Sequence, residues 1–333
     1  MIPLSTTAET LQTWTAGANR YMEYTRSPGL IFTLLFFSSF GSIGNGIVIW
    51  FLGFKIKKSP FTIYILNLAI ADMTFLLCIS FYQLIFLLRP EFHVLTVLLK
   101  NADKLLILAV MCIFAYNTSL YLLTSISIER CLSVMYPIWY RCRRPKHQSA
   151  LVCTLLWILS CLVSLAEYIV CDRRPVFSVV KDVLLLQHSQ CQAAYILVCI
   201  LSFLIFTPLM VLSSVVLLIK IKQNSWRHHS SKLYLVIVVT VVLFLLFALP
   251  IRVLLLLTYQ HWTFPSPMAF DISILLCSIN SAADPFVYFF VGSQGPKSGL
   301  TLRVMLQRVF REEAEPEQRE AGTPTGNMVE AEV

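Results

Sequence analysis

Charged residues are scarce in this chain. Only 13% of its 333 residues are Asp, Glu, Lys or Arg, whereas 57% are hydrophobic, and the mean hydropathy is +0.73. A soluble domain carries roughly 25% charged residues. The composition therefore excludes an ordinary soluble globular protein, because this much apolar surface must be covered by lipid.

Other features are also absent. Residues 1–11 have neither the basic start nor the apolar core of a signal peptide, so we expect the first membrane helix to direct its own insertion. No internal repeat of fixed period is visible, whereas many secondary transporters are built from repeats. The one Asn-x-Ser/Thr sequon, at Asn117, falls inside a hydrophobic stretch where a glycan cannot be added.

Long hydrophobic stretches are what the chain does have. A membrane-spanning helix needs roughly 20 mostly apolar residues, whereas the strands of a membrane barrel alternate over about 10 residues. Continuous apolar stretches therefore predict an all-α membrane protein, a seven-transmembrane helix bundle in contact with membrane lipid. The predicted helices cover about 30–54, 61–88, 95–128, 149–170, 193–219, 233–259 and 267–291.

Lys and Arg are more numerous in the loops after predicted helices 1, 3 and 5 than in the loops after helices 2, 4 and 6. Basic loops stay in the cytoplasm, so we predict a multi-pass plasma membrane protein with an extracellular N-terminus and a cytoplasmic C-terminus. The net charge of +8 then reflects orientation. Basic residues are spread over several loops without one continuous stripe, so no nucleic-acid partner is predicted.

The sequence divides into four predicted parts. Residues 1–27 form an extracellular N-terminal segment, and residues 28–292 form the seven-transmembrane domain. In residues 293–311 the apolar side chains fall on one side of a helix, which predicts a short amphipathic eighth helix on the inner leaflet. Residues 312–333 are acidic and contain Gly and Pro, so they are expected to be a disordered cytoplasmic tail.

Two of the ten cysteines, Cys171 and Cys191, fall on the predicted outer side of the membrane. Disulfides persist in oxidising compartments, so we predict a bond between these two residues. It would hold the loop between helices 4 and 5 beside the mouth of the bundle. The alternative is two free thiols.

Polar and acidic residues interrupt the hydrophobic stretches. A charged group in hydrocarbon costs at least about 2.5 kcal/mol, so each one needs an explanation. If these side chains face inward, they form one cluster at mid-membrane that suits a sodium ion, a water network or a shared proton. The alternative is simple hydrogen bonding between helices. We predict a polar switch built from Asp72, Ser119, Asn280 and Asp284, together with Asn45, Asn117 and Ser281.

Further charges lie near the two ends of the predicted bundle. Glu167, near the outer end of helix 4, is suited to receive a cationic ligand, to pair with Arg252 or to lie at the membrane interface. Arg252 follows Pro250, whose ring removes a helix hydrogen bond and allows a kink. Glu129 and Arg130 end helix 3 at the cytoplasmic edge, where the alternative to a functional role is a charge pair that reaches the headgroups.

These residues resemble the rhodopsin-like G-protein-coupled receptors, with one motif per helix in the expected order. The matching motifs are Gly44-Asn45, Leu68-x-x-x-Asp72, Glu129-Arg130-Cys131, Trp157, Pro208, Pro250 and Asp284-Pro285-x-x-Tyr288. Residues 129–142, 149–153, 206–210 and 288–292 are similar to the Mas-related receptors, the group around the Mas receptor. The paired Cys171 and Cys191 also resemble that group.

The resemblance implies an agonist site outside and a heterotrimeric G protein inside. Arg130 would contact the G protein, and Glu129, Pro250 and Tyr288 would take part in activation. Glu167 would meet a cationic group of the ligand. A second acid that some relatives carry is absent near Ile196, and Arg252 adds a positive charge, so a ligand with both charges is expected, a peptide or an amphipathic small molecule. Aromatic walls are expected from Tyr82, Tyr116, Tyr259 and Trp262.

Several departures from the receptor pattern keep alternatives open. Ala248 stands where such receptors usually have Trp, Asp284 replaces the usual Asn, and Leu105 is near the usual Cys of helix 3. Basal activity could therefore be high, as in an orphan receptor that acts mainly through constitutive signalling. A membrane transporter or carrier is the other alternative. Residues 267–292 lack the Lys that a retinal photoreceptor needs. No enzyme activity, metal site or cofactor is predicted, apart from sodium as a modulator.

Overall fold

Seven helices of membrane-spanning length form the protein in its computed structural model. The structure describes residues 27–56, 59–88, 102–145, 147–171, 193–194, 196–223, 231–261 and 267–293. The predicted all-α fold is confirmed. The helices are α1 (Pro28–Trp50), α2 (Pro60–Leu88), α3 (Ala102–Met135), α4 (Gln148–Cys171), α5 (Thr207–Gln223), α6 (Ser231–Leu243 and Leu249–His261) and α7 (Pro267–Ser293).

Three wide π-helical turns modify this pattern. Phe51–Lys55 extends α1, Ile200–Phe206 leads into α5, and Phe244–Ala248 joins the two halves of α6. Turns of this kind are frequent at functional sites. The turn in α6 comes directly before Pro250, which has no N–H to donate to the preceding turn.

Local sequence signals set where α1 and α2 begin. Pro28 occupies the first turn of α1, and the Ser27 hydroxyl accepts the Leu30 N–H at 3.3 Å. At the start of α2 the Ser59 N–H donates to the Thr62 hydroxyl at 2.7 Å, and the Thr62 N–H donates to the Ser59 hydroxyl at 3.2 Å. This reciprocal cap satisfies N–H groups that have no partner within the helix.

The predicted bounds of helix 3 were wrong at its cytoplasmic end. The prediction ended the helix at residue 128, but α3 continues to Met135, so Glu129 and Arg130 lie inside the helix. Residues 129–135 contain no Gly or Pro, and the helix stops just before Pro137, which begins a short helix, Pro137–Cys142. The prediction used the first charged residues as an end signal, although these charges are buried.

Four predictions fall wholly or largely outside the described residues. They are the extracellular segment 1–27, the eighth helix 293–311, the cytoplasmic tail 312–333 and the bond between Cys171 and Cys191. They remain predictions.

Gly41 sets the close approach of α1 to α7. A Cβ built on Gly41 would lie 2.6 Å from the Cβ of Ala282 and 2.8 Å from the Cδ1 of Leu76. One turn further along α1, the Asn45 amide donates to the Ser281 carbonyl of α7 at 3.0 Å. Because Gly41 has no side chain, α1 approaches α7 closely enough for the Asn45 amide to reach the Ser281 carbonyl.

Gly41→Ala is expected to lower the unfolding temperature of the purified receptor, because the new methyl group meets backbone atoms that cannot move away. Overpacking of this kind costs roughly 1–3 kcal/mol. Gly46→Ala is the matched control, since its Cβ would have nothing within 4 Å. Equal melting curves for the two variants would contradict the packing argument.

Candidate functional site

A buried polar group, the outer group, joins α3, α4 and α6 in the half of the bundle that is predicted to face outward. Arg252 of α6 is 2% exposed and Glu167 of α4 is 7% exposed, and their Nη1 and Oε1 atoms are 3.6 Å apart. Arg252 also donates through Nη2 to the Asn117 side-chain carbonyl, and Asn117 donates to the Ser164 hydroxyl at 3.1 Å. Glu167 therefore pairs with Arg252, and the interface position considered for it is wrong.

Asn117 belongs to this outer group, although the sequence analysis placed it in the same cluster as Ser119 and Asp72. Asn117 and Ser119 are both on α3, and successive residues of an α-helix are turned by about 100° around its axis. Two positions apart, their side chains point in nearly opposite directions. The polar residues therefore form two separate groups, and the single cluster predicted for them was wrong.

Tyr116 fills the space between α3 and the wide turn of α6. Its hydroxyl donates to the Ala248 carbonyl at 3.1 Å, and its ring centroid is 5.9 Å from that of Phe244. The Arg252 guanidinium lies 5.0 Å from the Tyr116 ring centroid. Phe244 of the wide turn and Tyr116 of α3 therefore supply aromatic rings beside Ala248, which has none.

The structure describes the other predicted ligand residues only in part. Tyr82 is half-buried on α2. Tyr259 lies in the last turns of α6, its side chain outside the described part, and Trp262 is outside it altogether. Sequence reasoning missed Gln83 and Asp271, which are completely buried on α2 and α7. In the sequence, each could have been recognised as a polar side chain within an apolar stretch, near the end of a helix that is predicted to face outward.

The middle group is centred on Asp72 of α2. Ser119 and Ser281 donate their hydroxyls to the Asp72 Oδ1 atom at 2.9 and 3.0 Å. Asp284 of α7 is also buried, and it is close enough to Asp72 for the two acids to interact electrostatically. Asn280 is buried on α7, but in the described part of the chain no hydrogen bond joins it to Asp72. Four residues of the predicted cluster, Asp72, Ser119, Ser281 and Asp284, thus lie in one group, whereas Asn280 is not bonded to Asp72.

A third group surrounds Glu129 at the end of the bundle predicted to face the cytoplasm, and it is called the cytoplasmic group. The Glu129 Oε1 atom accepts the Tyr64 hydroxyl at 3.0 Å and pairs with the Arg144 Nη2 atom, also at 3.0 Å. The Arg130 guanidinium lies 3.8 Å from the centre of the Phe61 ring. Glu129 and Arg130 are both buried, so the alternative in which they reach the headgroups is wrong. Sequence reasoning missed Tyr64 and Arg144 as partners of this acid.

Pro250 and Tyr288 lie on α6 and α7, and their roles in activation stay predictions. Pro250 follows the wide turn of α6, which is the local distortion that its missing N–H predicts. Tyr288 is buried on α7, four residues and therefore about one turn after Asp284. In the described part of the chain, no group of three or more His, Cys, Asp and Glu side chains is placed to hold a metal ion. A sodium ion stays a prediction.

Comparisons with known proteins agree with this arrangement. The family described as "7 transmembrane receptor (rhodopsin family)" matches residues 44–288. The rat protein "Proto-oncogene Mas" is 47% identical over 312 residues, which are 92% of this chain and 90% of that protein. Its human counterpart is 48% identical over 87% of this chain and 85% of that protein.

A second kind of relative is the rat "Mas-related G-protein coupled receptor member H". It is 43% identical over 279 residues, covering 82% of this chain and 81% of the relative. Together with the seven membrane-spanning helices, these likenesses show that the chain belongs to the Mas-related branch of the rhodopsin family and is a multi-pass membrane receptor coupled to G proteins.

Proposed function

We propose that this receptor transmits the signal of an extracellular ligand that carries both a cationic and an anionic group, such as a short peptide or an amphipathic small molecule. The buried pair of Glu167 and Arg252 carries the proposal. Its atoms are 3.6 Å apart, longer than the 2.7–3.2 Å of a well-formed hydrogen bond. A ligand group of each sign can therefore form a better contact with each residue.

A ligand with a positive charge alone fits this pair poorly. It would take Glu167 away from Arg252 and leave the guanidinium buried without its carboxylate, which is strongly unfavourable. A ligand with both charges leaves neither residue uncompensated. Tyr116, whose ring lies beside Arg252, supplies an apolar wall to the same site.

The same contacts connect the ligand site to α6. Arg252 is bound to Asn117 of α3, and Tyr116 of α3 is bound to the Ala248 carbonyl at the wide turn. A ligand group that pairs with Arg252 changes its contact with Asn117 and the neighbouring contact between Tyr116 and Ala248. The ligand therefore favours a different position of α6 relative to α3. Agonist and G protein then favour the same conformation, which is the thermodynamic meaning of allostery.

The G protein is proposed to bind at the cytoplasmic ends of α3 and α6, with the N-terminus outside the cell. Arg130 lies at this end, and the short helix Pro137–Cys142 presents Ile138, which is 79% exposed. An exposed apolar side chain at this end of the bundle suits a protein partner.

The experiment uses purified receptor in nanodiscs with a heterotrimeric G protein and measures binding of a non-hydrolysable GTP analogue. Each peptide of a short amphipathic panel is acetylated at its N-terminus and supplied in three forms: one with a basic side chain and a free C-terminal carboxylate, one with that side chain and an amidated C-terminus, and one with the carboxylate and the basic residue replaced. We expect only the doubly charged form to accelerate exchange. If the amidated form accelerates exchange as much as the doubly charged form, Arg252 does not bind the ligand carboxylate. If the form without the basic residue does so, Glu167 does not bind the cationic group.

Ile138→Asp is expected to reduce G-protein activation in the same assay. Burial of an Ile side chain contributes about 1.5–3 kcal/mol, which corresponds to roughly a 10- to 100-fold change in affinity for the G protein. Ile138→Leu is the control and should keep most of the activity. If the aspartate variant binds and activates the G protein like wild type, the short helix does not contact it.

A further inference from the structure

Two free cysteines lie on the faces of α2 and α3 that contact each other. The Tyr64 hydroxyl of α2 donates to a carboxylate of α3 at 3.0 Å, and the Ser119 hydroxyl of α3 donates to a carboxylate of α2 at 2.9 Å. Cys78 follows Tyr64 by fourteen residues, which is about four helical turns. Cys112 precedes Ser119 by seven residues, which is about two turns. Each cysteine therefore lies on the face of its helix that meets the other helix.

The two cysteines also lie at the same level of the bundle. The helices α2 and α3 run in opposite directions, and Asp72 of α2 is hydrogen-bonded to Ser119 of α3. From that contact Cys78 lies six residues further along α2 and Cys112 lies seven residues back along α3. Both are therefore about 9–11 Å away in the same direction, toward the end predicted to face outward. Their thiols are close enough to interact, and both are free and partly exposed.

We propose that Cys78 and Cys112 form a redox modification site, at which hydrogen peroxide converts the two thiols into a disulfide that ties α2 to α3 and lowers G-protein activation. The effect on activation rests on the proposed function, whereas the bond itself does not. Cys112 lies about one turn from Tyr116, which reaches α6 at the Ala248 carbonyl. Because α3 carries residues of all three polar groups, a covalent bond to α2 limits the shift of α3 between conformations of the bundle.

The chemistry needs only the two thiols and the peroxide. One sulfur attacks an oxygen of hydrogen peroxide, the O–O bond breaks, and a water molecule leaves while the sulfur becomes a sulfenic acid. The second sulfur attacks the first, and the S–S bond forms as the sulfenic oxygen leaves in a second water molecule. Two thiols are thus oxidised and one peroxide is reduced to two water molecules. The predicted outward half of the bundle faces an oxidising compartment, in which such a bond persists.

The bond is tested on purified receptor in nanodiscs. After treatment with hydrogen peroxide the remaining thiols are alkylated, and mass spectrometry of a digest identifies linked peptides. We expect a peptide that joins Cys78 to Cys112, absent without peroxide and lost again on reduction with dithiothreitol. Cys78→Ser should abolish it, whereas Cys161→Ser, which replaces an exposed cysteine of α4, is the matched control and should leave it unchanged. A wild type in which peroxide oxidises Cys161 but yields no such link would overturn the proposal.

The effect on activation is measured with the receptor fused to a Gα subunit, so that binding of a GTP analogue is followed without an agonist. Peroxide should lower the exchange rate of wild type about tenfold, within the usual range of coupling between sites, and dithiothreitol should restore it. Cys78→Ser and Cys112→Ser each keep one thiol, so they should exchange like untreated wild type and ignore peroxide.

Two results would overturn the regulatory role. One is an equal loss of exchange in the serine variants, because another oxidation would then be the cause. The other is a wild type that carries the link and exchanges at its untreated rate or faster. A fusion that shows no exchange even before peroxide would instead contradict the proposed function, and the linked peptide would still decide whether the two cysteines form a bond.

Discussion

Arg252→Met is expected to remove most of the folded receptor from the cell surface. The substitution leaves the Glu167 carboxylate without its cation and Asn117 without the donor to its carbonyl, in a region where both residues are buried. Breaking one side of a buried ion pair costs about 3–5 kcal/mol, a large fraction of the 5–15 kcal/mol by which domains are stable. Surface immunolabelling and the unfolding temperature of detergent-purified receptor measure the loss.

Replacing both members of the pair tests whether charge is the cause. Arg252→Met with Glu167→Met removes both charges and keeps similar volume, a change that is often neutral or stabilising in buried pairs. The double variant should therefore return to the surface, but it should not respond to doubly charged peptides that activate wild type. A double variant that is absent from the surface would show that shape or the contact with Asn117 dominates. One that is present and fully responsive would remove the pair from the ligand site.

The sequence predicts the seven helices well because each one is a long, continuous apolar stretch, the strongest signal that a membrane protein carries. It also predicts that Asp72, Ser119 and Asp284 meet, since one polar residue per helix at similar depth leaves few other arrangements. It does not predict the partner of Glu129. Arg144 is 15 residues away and Tyr64 is 65 residues away, so their contact depends on how helices and loops pack.

The contact between Tyr116 and Ala248 could not be predicted from the sequence either. Ala248 could be recognised as a departure from the family pattern, but a missing ring does not say what fills its place. The answer depends on the wide turn of α6, which presents the Ala248 carbonyl to the hydroxyl of Tyr116. The group to which Asn117 belongs was also predicted wrongly, because residue type alone does not give the direction in which a side chain points from the helix.

All three polar groups share α3. Tyr116 and Asn117 belong to the outer group, Ser119 to the middle group, and Glu129 with Arg130 to the cytoplasmic group. A rotation or shift of this one helix therefore changes contacts at all three levels. That provides a continuous physical route from the proposed ligand site to the proposed G-protein site.

Asp72→Leu is expected to reduce G-protein activation roughly 10- to 100-fold, because hydrogen bonds to a charged group are worth about 1.5–3 kcal/mol. The substitution removes the acceptor of the Ser119 and Ser281 hydroxyls and the partner of the Asp284 carboxyl. Those groups join α2, α3 and α7, so their loss changes the balance between the conformations of the bundle. GTP-analogue binding at equal surface expression is the measurement.

Asp284→Asn is the matched control, and it also decides between a proton and a sodium ion. Two buried carboxyl groups that interact electrostatically cannot both be ionised at low energy, so we expect Asp72 and Asp284 to hold one proton between them. An amide at position 284 can donate the same hydrogen bond, and activity should stay within a few-fold of wild type. Exchange by wild type should then be unchanged when choline replaces sodium, and so should exchange by Asp284→Asn, because Asp72 beside an amide carries the same single negative charge. A wild type that depends on sodium would instead place the ion between the two acids, since only a cation can then hold both carboxylates together.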